Sequence, residues 1–300
     1  MTRLSVPPDH PAPAPPGHPA PAPPDLPAPT TPAPALSDLT APATPAPAPS
    51  DLTAPTTPAP APSDLTHNAP AALPLVGVVG GMGPLASTEL LRSVYLPADG
   101  RPEQQAPRVL LWSDPAVVDR TEAIGAGRLE ALYRAVEKAV EGLVGAGAER
   151  IVVACVTAHR VLGDLPPALL RRCVSLVDVV HQELARDGRP HLLLCTKGTA
   201  RAGILTTGDP AATRHLVALR PDDQEALHRE VYRLKSGADP LATVDFLRTV
   251  LPRYGVRRFV AACTELHLVT RAVEAAGLSA EFPAIDPLAV VAGRIKNGEL

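Results

Sequence analysis

The chain has 300 residues, carries a net charge of −3 and is 45% hydrophobic. A near-neutral balance of that kind offers no electrostatic footprint for nucleic acid or an anionic membrane surface. No apolar run reaches the roughly 18 residues that a membrane span needs, and the N-terminus lacks the apolar core of a signal peptide, so a cytoplasmic protein is expected.

The 38 prolines are unevenly placed, 23 of them in the first 70 residues. That stretch has too little apolar surface to offset the entropy of ordering, and residues 1–72 read as a disordered or polyproline-like tail. It is repetitive: Pro-Ala-Pro-Ala-Pro-Pro recurs after His10 and His18, and Ser-Asp-Leu-Thr recurs at Ser37, Ser50 and Ser63. Such short units suit a semi-rigid spacer, and docking of a partner through the tail is an open reading.

Order is expected to begin near Leu75. Leu75 to Val79 is a short apolar strand, followed by the loop Gly80-Gly81-Met82-Gly83-Pro84 and a helix over 85–95. A strand is predicted at 109–112, a helix at 127–144 and a buried strand at 151–154 that ends at Cys155. Further strands fall at 191–194 and 259–262, the last ending at Cys263, with helices at 225–235 and 241–254. Alternating strands and helices predict parallel sheet covered on both faces.

The decapeptide Arg150 to His159 aligns without gaps with Arg258 to His267, and five of the ten positions are identical, cysteine and histidine included. The fold class is therefore α/β, with two similar lobes of parallel sheet related by a pseudo-two-fold axis. Lobe 1 is assigned to 73–180 with the C-terminal segment 287–300, and lobe 2 to 181–286. Ligands of open parallel sheets bind beyond the carboxyl ends of the strands, which would set Cys155 and Cys263 on one cleft between the lobes.

Two opposed thiols suit stereoinversion: one takes a proton from one face of a carbon and the other returns one to the opposite face. A helix start is predicted just after each cysteine, and its dipole is expected to favour the thiolate. Cys173 and Cys195 lack this context and read as packing residues, and four widely spaced cysteines do not form a secreted disulfide framework. His159 and His267 could complete a Cys₂His₂ zinc site, but the two pairs lie in separate halves, so orienting or hydrogen-bonding roles are favoured. Gly81 to Ala86 fits a dinucleotide-binding pattern; the acidic residue that should end a second strand is instead Asp99, in a Pro-Ala-Asp-Gly loop. Asp286 before Pro287 reads as a helix cap.

At these residues the chain resembles the aspartate/glutamate racemase family, and within it the aspartate racemase branch. Seven motifs occur in order: Gly77 to Pro84, Asp119-Arg120-Thr121, Cys155-Val-Thr-Ala-His159, Thr196 to Thr199, Leu234-Lys235-Ser-Gly237, Cys263-Thr264-Glu265-Leu266 and Ile285-Asp286-Pro287. The resemblance implies an amino-acid racemase without pyridoxal phosphate, metal or other cofactor, often a homodimer. It implies Cys155 and Cys263 as the acid/base pair. Arg120 and Lys235 match the residues that hold a substrate's side-chain carboxylate. Met82, Gly83, Thr121, Thr157, Ala158, Thr199, Thr264 and Glu265 complete the expected substrate contacts. One departure stands out: Val156 occupies a position that is usually asparagine, and valine offers no hydrogen bond. It keeps open a thiol-dependent isomerase or decarboxylase of a related carboxylate, or a binding protein whose catalysis has decayed.

Overall fold

The computed structural model describes residues 73–96, 100, 102–208 and 210–300. The proline-rich segment 1–72 and Asp99 lie outside the described residues. In the first half, β1 (Val76–Gly80), β2 (Val109–Ser113), β3 (Arg150–Val153) and β4 (Cys173–Val174) alternate with α1 (Pro84–Tyr95), α2 (Arg120–Gly125), α3 (Leu129–Gly145) and α4 (Pro167–Leu170), and α5 (Leu176–Asp187) follows. In the second half, β5 (His191–Cys195), α6 (Lys197–Arg201), α7 (Pro210–Thr213), β6 (Leu216–Val217), α8 (Pro221–Lys235), α9 (Val244–Arg253), β7 (Phe259–Ala262), α10 (Leu266–Ala275) and β8 (Ala284–Ile285) lead to α11 (Pro287–Asn297).

The strands form two four-stranded sheets, ordered β2-β1-β3-β4 and β6-β5-β7-β8, with every pairing parallel. The order is the same in both, the second and the fourth strand of each set forming its edges, so the repeat visible in the decapeptides extends to whole sheets. Cys155 follows β3 and Cys263 follows β7, the equivalent inner strands.

Side chains alternate across each strand, and the alternation divides the core. In the first sheet Val79, Ile151 and Val153 pack with Leu132, Val136 and Val140 of α3. In the second, Leu192, Leu194, Phe259 and Ala261 pack with α8, α9 and α10. The opposite faces meet in one shared core: Val78, Val152 and Ala154 from one sheet and Leu193, Val260 and Ala262 from the other, closed by α1, α5 and α11. Two sheets that share a core have little freedom to rotate past each other, and this holds the ends of β3 and β7 together.

Helix ends follow local chemistry. Ser175 caps α5 by accepting from the Asp178 N–H, and Gly188 ends it in the left-handed conformation. Asp286 caps α11 through the Leu288 and Ala289 N–H groups. The helix predicted at 241–254 is broken at its start: residues Pro240–Thr243 form a 3₁₀ turn, and α9 begins at Val244. Asp239 accepts from the Leu241 N–H and Pro240 removes a donor, which together favour the tighter turn. Among the described residues, no helix is long and apolar enough to cross a membrane.

Phe259 is 1% exposed at the centre of the second core. Phe259→Ala should lower unfolding free energy by about 3–5 kcal/mol, measured by urea denaturation of the full chain. A loss below about 1 kcal/mol would show that this cluster does not hold the second sheet.

Candidate active site

A narrow cleft lies at the carboxyl ends of β3 and β7. It is lined by Met82, Asp119, Arg120, Thr121, Cys155, Val156, Thr157, Thr196, Lys235, Cys263, Thr264 and Glu265. Nine of the residues expected at the site thus come together with both thiols among them. Gly83, Ala158 and Thr199 are not among these lining residues. The cleft has about 260 Å³ of empty space, part of it open to solvent.

The glycine loop after β1 is shaped by close approach. Gly81 has φ +82°, and a Cβ there would lie 2.3 Å from the Asp114 backbone nitrogen. The Gly81 N–H donates to Ser87 Oγ at 3.2 Å, and that hydroxyl donates to the Gly83 carbonyl. Gly83 in turn lets the Glu265 carboxylate come close, since a Cβ would sit within 2.3 Å of Oε1.

Arg120 opens α2. Its guanidinium donates to the carbonyls of Met82 (2.8 Å), Val118 (3.1 Å) and Val117 (3.3 Å), which fixes it at the cleft. Asp119 caps the same helix by accepting from the Glu122 N–H and also accepts from the Tyr232 hydroxyl at 2.8 Å. Burial alone would raise its carboxyl, but those two hydrogen bonds, with Arg120 and Lys235, hold it below the usual carboxylate range. Lys235, the last residue of α8, lies over the Tyr232 ring. Its Nζ stands 4.0 Å from both Asp119 Oδ2 and Glu265 Oε1.

Three buried hydroxyls join the two halves. Thr157, which follows β3, meets Thr199 at 2.8 Å and Thr196 at 3.0 Å, both beyond β5, and Thr196 and Thr199 are 3.1 Å apart. Thr199 therefore supports the lining residues Thr157 and Thr196. Across from them Gly198 packs on Thr121, where a Cβ would be 2.9 Å from the threonine Cα.

The thiols differ from the expectation of dipole-assisted ionisation. Cys155 and Cys263 are 5% and 4% exposed. Burial pushes the Cys155 thiol up, opposed by Arg120 and reinforced by Glu265. Burial pushes the Cys263 thiol well up, reinforced by the Glu265 charge and by the hydrogen bond from Cys263 Sγ to Glu265 Oε2 at 2.9 Å. Desolvation outweighs the helix ends, the more so because Cys155 is followed by a 3₁₀ segment and α10 begins three residues after Cys263. Cys173 and Cys195 stand outside the cleft lining, and burial pushes their thiols up to about 11 and about 12.

Both histidines are structural. His159 Nε2 accepts from the Leu176 N–H at 3.0 Å, so Nδ1 carries the proton that is donated to the Cys155 carbonyl at 2.9 Å. His267 is fully buried between Asp286 Oδ2 (2.7 Å) and Ser93 Oγ (3.0 Å). Ser93 sits within α1, so this contact ties α1 to α10 and to the Asp286 cap of α11. Among the described residues, no cluster of three or more His, Cys, Asp or Glu could hold a metal ion.

The Asp/Glu/hydantoin racemase family model matches residues 79–295. The chain belongs to the Asp/Glu/hydantoin racemase family. The fold agrees with that of Picrophilus torridus aspartate racemase, at 23% identity and TM-score 0.61, over 75% of this chain and 99% of the other. It also agrees with an aspartate racemase homologue from Pyrococcus horikoshii, at 20% identity and TM-score 0.56, over 74% and 97%. Asp119 and Thr196 also line the cleft; each stood in one of the seven motifs, but neither was among the expected substrate contacts. The Asp-x-x-Glu capping pattern of 119–122 and the Thr-x-x-Thr of 196–199 were the available signals.

Burial lowers the basicity of His159 below its ordinary value of about 6.5. Its contribution to stability is complete above that value and is lost as pH falls toward the depressed folded value, because the unfolded chain then binds the proton more readily. The melting temperature should therefore fall below about pH 6.5, and His159→Gln should flatten that slope. His191 and His228 shift in the same direction, so part of the slope will remain. An unchanged slope in the variant would remove His159 from this account.

Proposed function

We propose that this racemase inverts aspartate or glutamate without pyridoxal phosphate or metal, by two-base proton transfer at Cα between the thiols of Cys155 and Cys263. The carrying observation is that these two cysteines, equivalent in the internal repeat, line the same cleft beside two cationic side chains. One thiolate removes the α-proton, the C–H electron pair passes into an enolate-like carboxylate, and the opposite thiol protonates the other face. The reverse reaction exchanges the roles. Desolvation favours this chemistry once a thiolate forms, since a thiolate with a raised pKa is a stronger base.

Arg120 and Lys235 would bind the side-chain carboxylate, with Arg120 held in place by the Met82 carbonyl. Thr121, Thr157 and Thr264 offer hydroxyls or N–H groups to the α-carboxylate. Glu265 Oε1 is buried with no hydrogen-bond partner and suits the substrate ammonium. The Met82–Gly83 backbone closes the site, and Ala158 and Thr199 support Thr157 from behind. Val156 is 1% exposed and joins the shared core, so its effect is to leave the substrate one polar contact short.

Chiral chromatography of a panel of L-amino acids incubated with the full chain should show conversion of an acidic member. Cys155→Ser and Cys263→Ser should each lower the rate by about 10²–10⁴-fold, the size of a positioned acid/base contribution. Full activity in either variant would defeat the two-thiol reading. Lys235→Ala should raise KM for the acidic substrate about 10–100-fold, as expected for a lost charge-assisted hydrogen bond of about 1.5–3 kcal/mol, with a smaller change in kcat. An unchanged KM would place the side-chain carboxylate elsewhere.

A further inference from the structure

The internal repeat aligns Cys155-Val156-Thr157 with Cys263-Thr264-Glu265. Two residues beyond one thiol stands a hydroxyl; two beyond the other stands a carboxylate. The hydroxyl is committed elsewhere, to Thr196 and Thr199. The carboxylate accepts the Cys263 S–H at 2.9 Å. Glu265 is 3% exposed, and its other oxygen has no hydrogen-bond partner and lies 4.0 Å from Lys235 Nζ. Among the described residues, no side chain accepts from the Cys155 thiol as Glu265 does from Cys263.

We infer that Glu265 is a positioning residue that makes the two thiols unequal, holding the resting proton on Cys263 and leaving Cys155 as the thiol that ionises first. The inference rests on the two-thiol reading for its catalytic meaning but not for its geometry. A carboxylate can only accept, so a thiol 2.9 Å away must keep its proton to satisfy the contact, and a thiolate there would meet a second negative charge. Burial raises both thiols. At Cys155 Arg120 and then Lys235 oppose it, while the Glu265 charge reinforces it from a distance. At Cys263 Glu265 adds its charge and its direct hydrogen bond, and Lys235 is the one opposing side chain.

The consequence is directional. The antipode whose Cα–H meets Cys155 finds a base and, opposite, a thiol ready to donate. The C–H bond breaks as Cys155 S–H forms, and Cys263 S–H breaks as the new C–H forms. The site then holds a protonated Cys155 and a Cys263 thiolate beside Glu265, and Cys155 must release its proton and Cys263 regain one before the next turnover in that direction. The opposite antipode is used best by this second state.

Alkylation of the substrate-free full chain by iodoacetamide, mapped by peptide mass spectrometry from pH 6 to 10, tests this directly. The two residues are almost equally buried, 5% and 4% exposed, and alkylation of the urea-unfolded chain gives each thiol's reference rate. Cys155 should be modified ahead of Cys263. Glu265→Gln removes the charge while keeping the size, and should raise the Cys263 rate relative to Cys155 by about tenfold or more, the effect of at least one pKa unit. The Cys263 pH profile should move to lower pH and that of Cys155 much less. Glu265→Asp keeps the charge but withdraws the acceptor, and should give an intermediate ratio. Equal rates in the native chain, Cys263 reacting first, or a ratio unchanged in Glu265→Gln would overturn the inference. Because no substrate is used, failure to racemise any amino acid would leave this result standing, and equal thiol reactivity would leave two-base racemisation standing.

Discussion

Both sheets turn one face into a single shared core, and that constraint fixes the site. Val152 and Ala154 of the first sheet and Val260 and Ala262 of the second belong to the same cluster, so the strands that carry Cys155 and Cys263 are braced by common neighbours. Proton transfer between two thiols through a small molecule demands such bracing, because a displacement of about 1 Å can cost a hundredfold in rate. The triangle of Thr157, Thr196 and Thr199 adds a polar fastening across the same boundary.

Burial gives the cleft its chemistry and also its cost. Excluding water strengthens every charge interaction within it, and it also pushes both thiols up, against ionisation. Arg120 and Lys235 supply the positive charge that a thiolate needs, while Asp119 and Glu265 balance them in the absence of substrate. An arriving dicarboxylate would compete for those cations.

The decapeptide repeat made the fold and its two cysteines legible, because the repeated residues are the buried strands and their ends. The cleft itself was largely legible as motifs; the direction of the thiol shifts was not, because desolvation depends on neighbours far apart in the chain. The contact between Cys263 and Glu265 was equally hidden: a spacing of two residues after a strand does not specify where a side chain points. β4, β6 and β8 have two residues each, too few for a period to register. Asp119 was readable as a cap, whereas its contact with Tyr232 spans the chain from α2 to α8.

Isotope placement in D₂O tests the central claim most directly. With two thiols acting from opposite faces, the product antipode formed early should carry deuterium at Cα while unreacted substrate retains protium, as read by mass spectrometry of the separated antipodes. Equal deuterium in both pools from the first turnovers would show a single base serving both faces. Product that retains protium at Cα would contradict proton exchange through the Cys155 and Cys263 thiols.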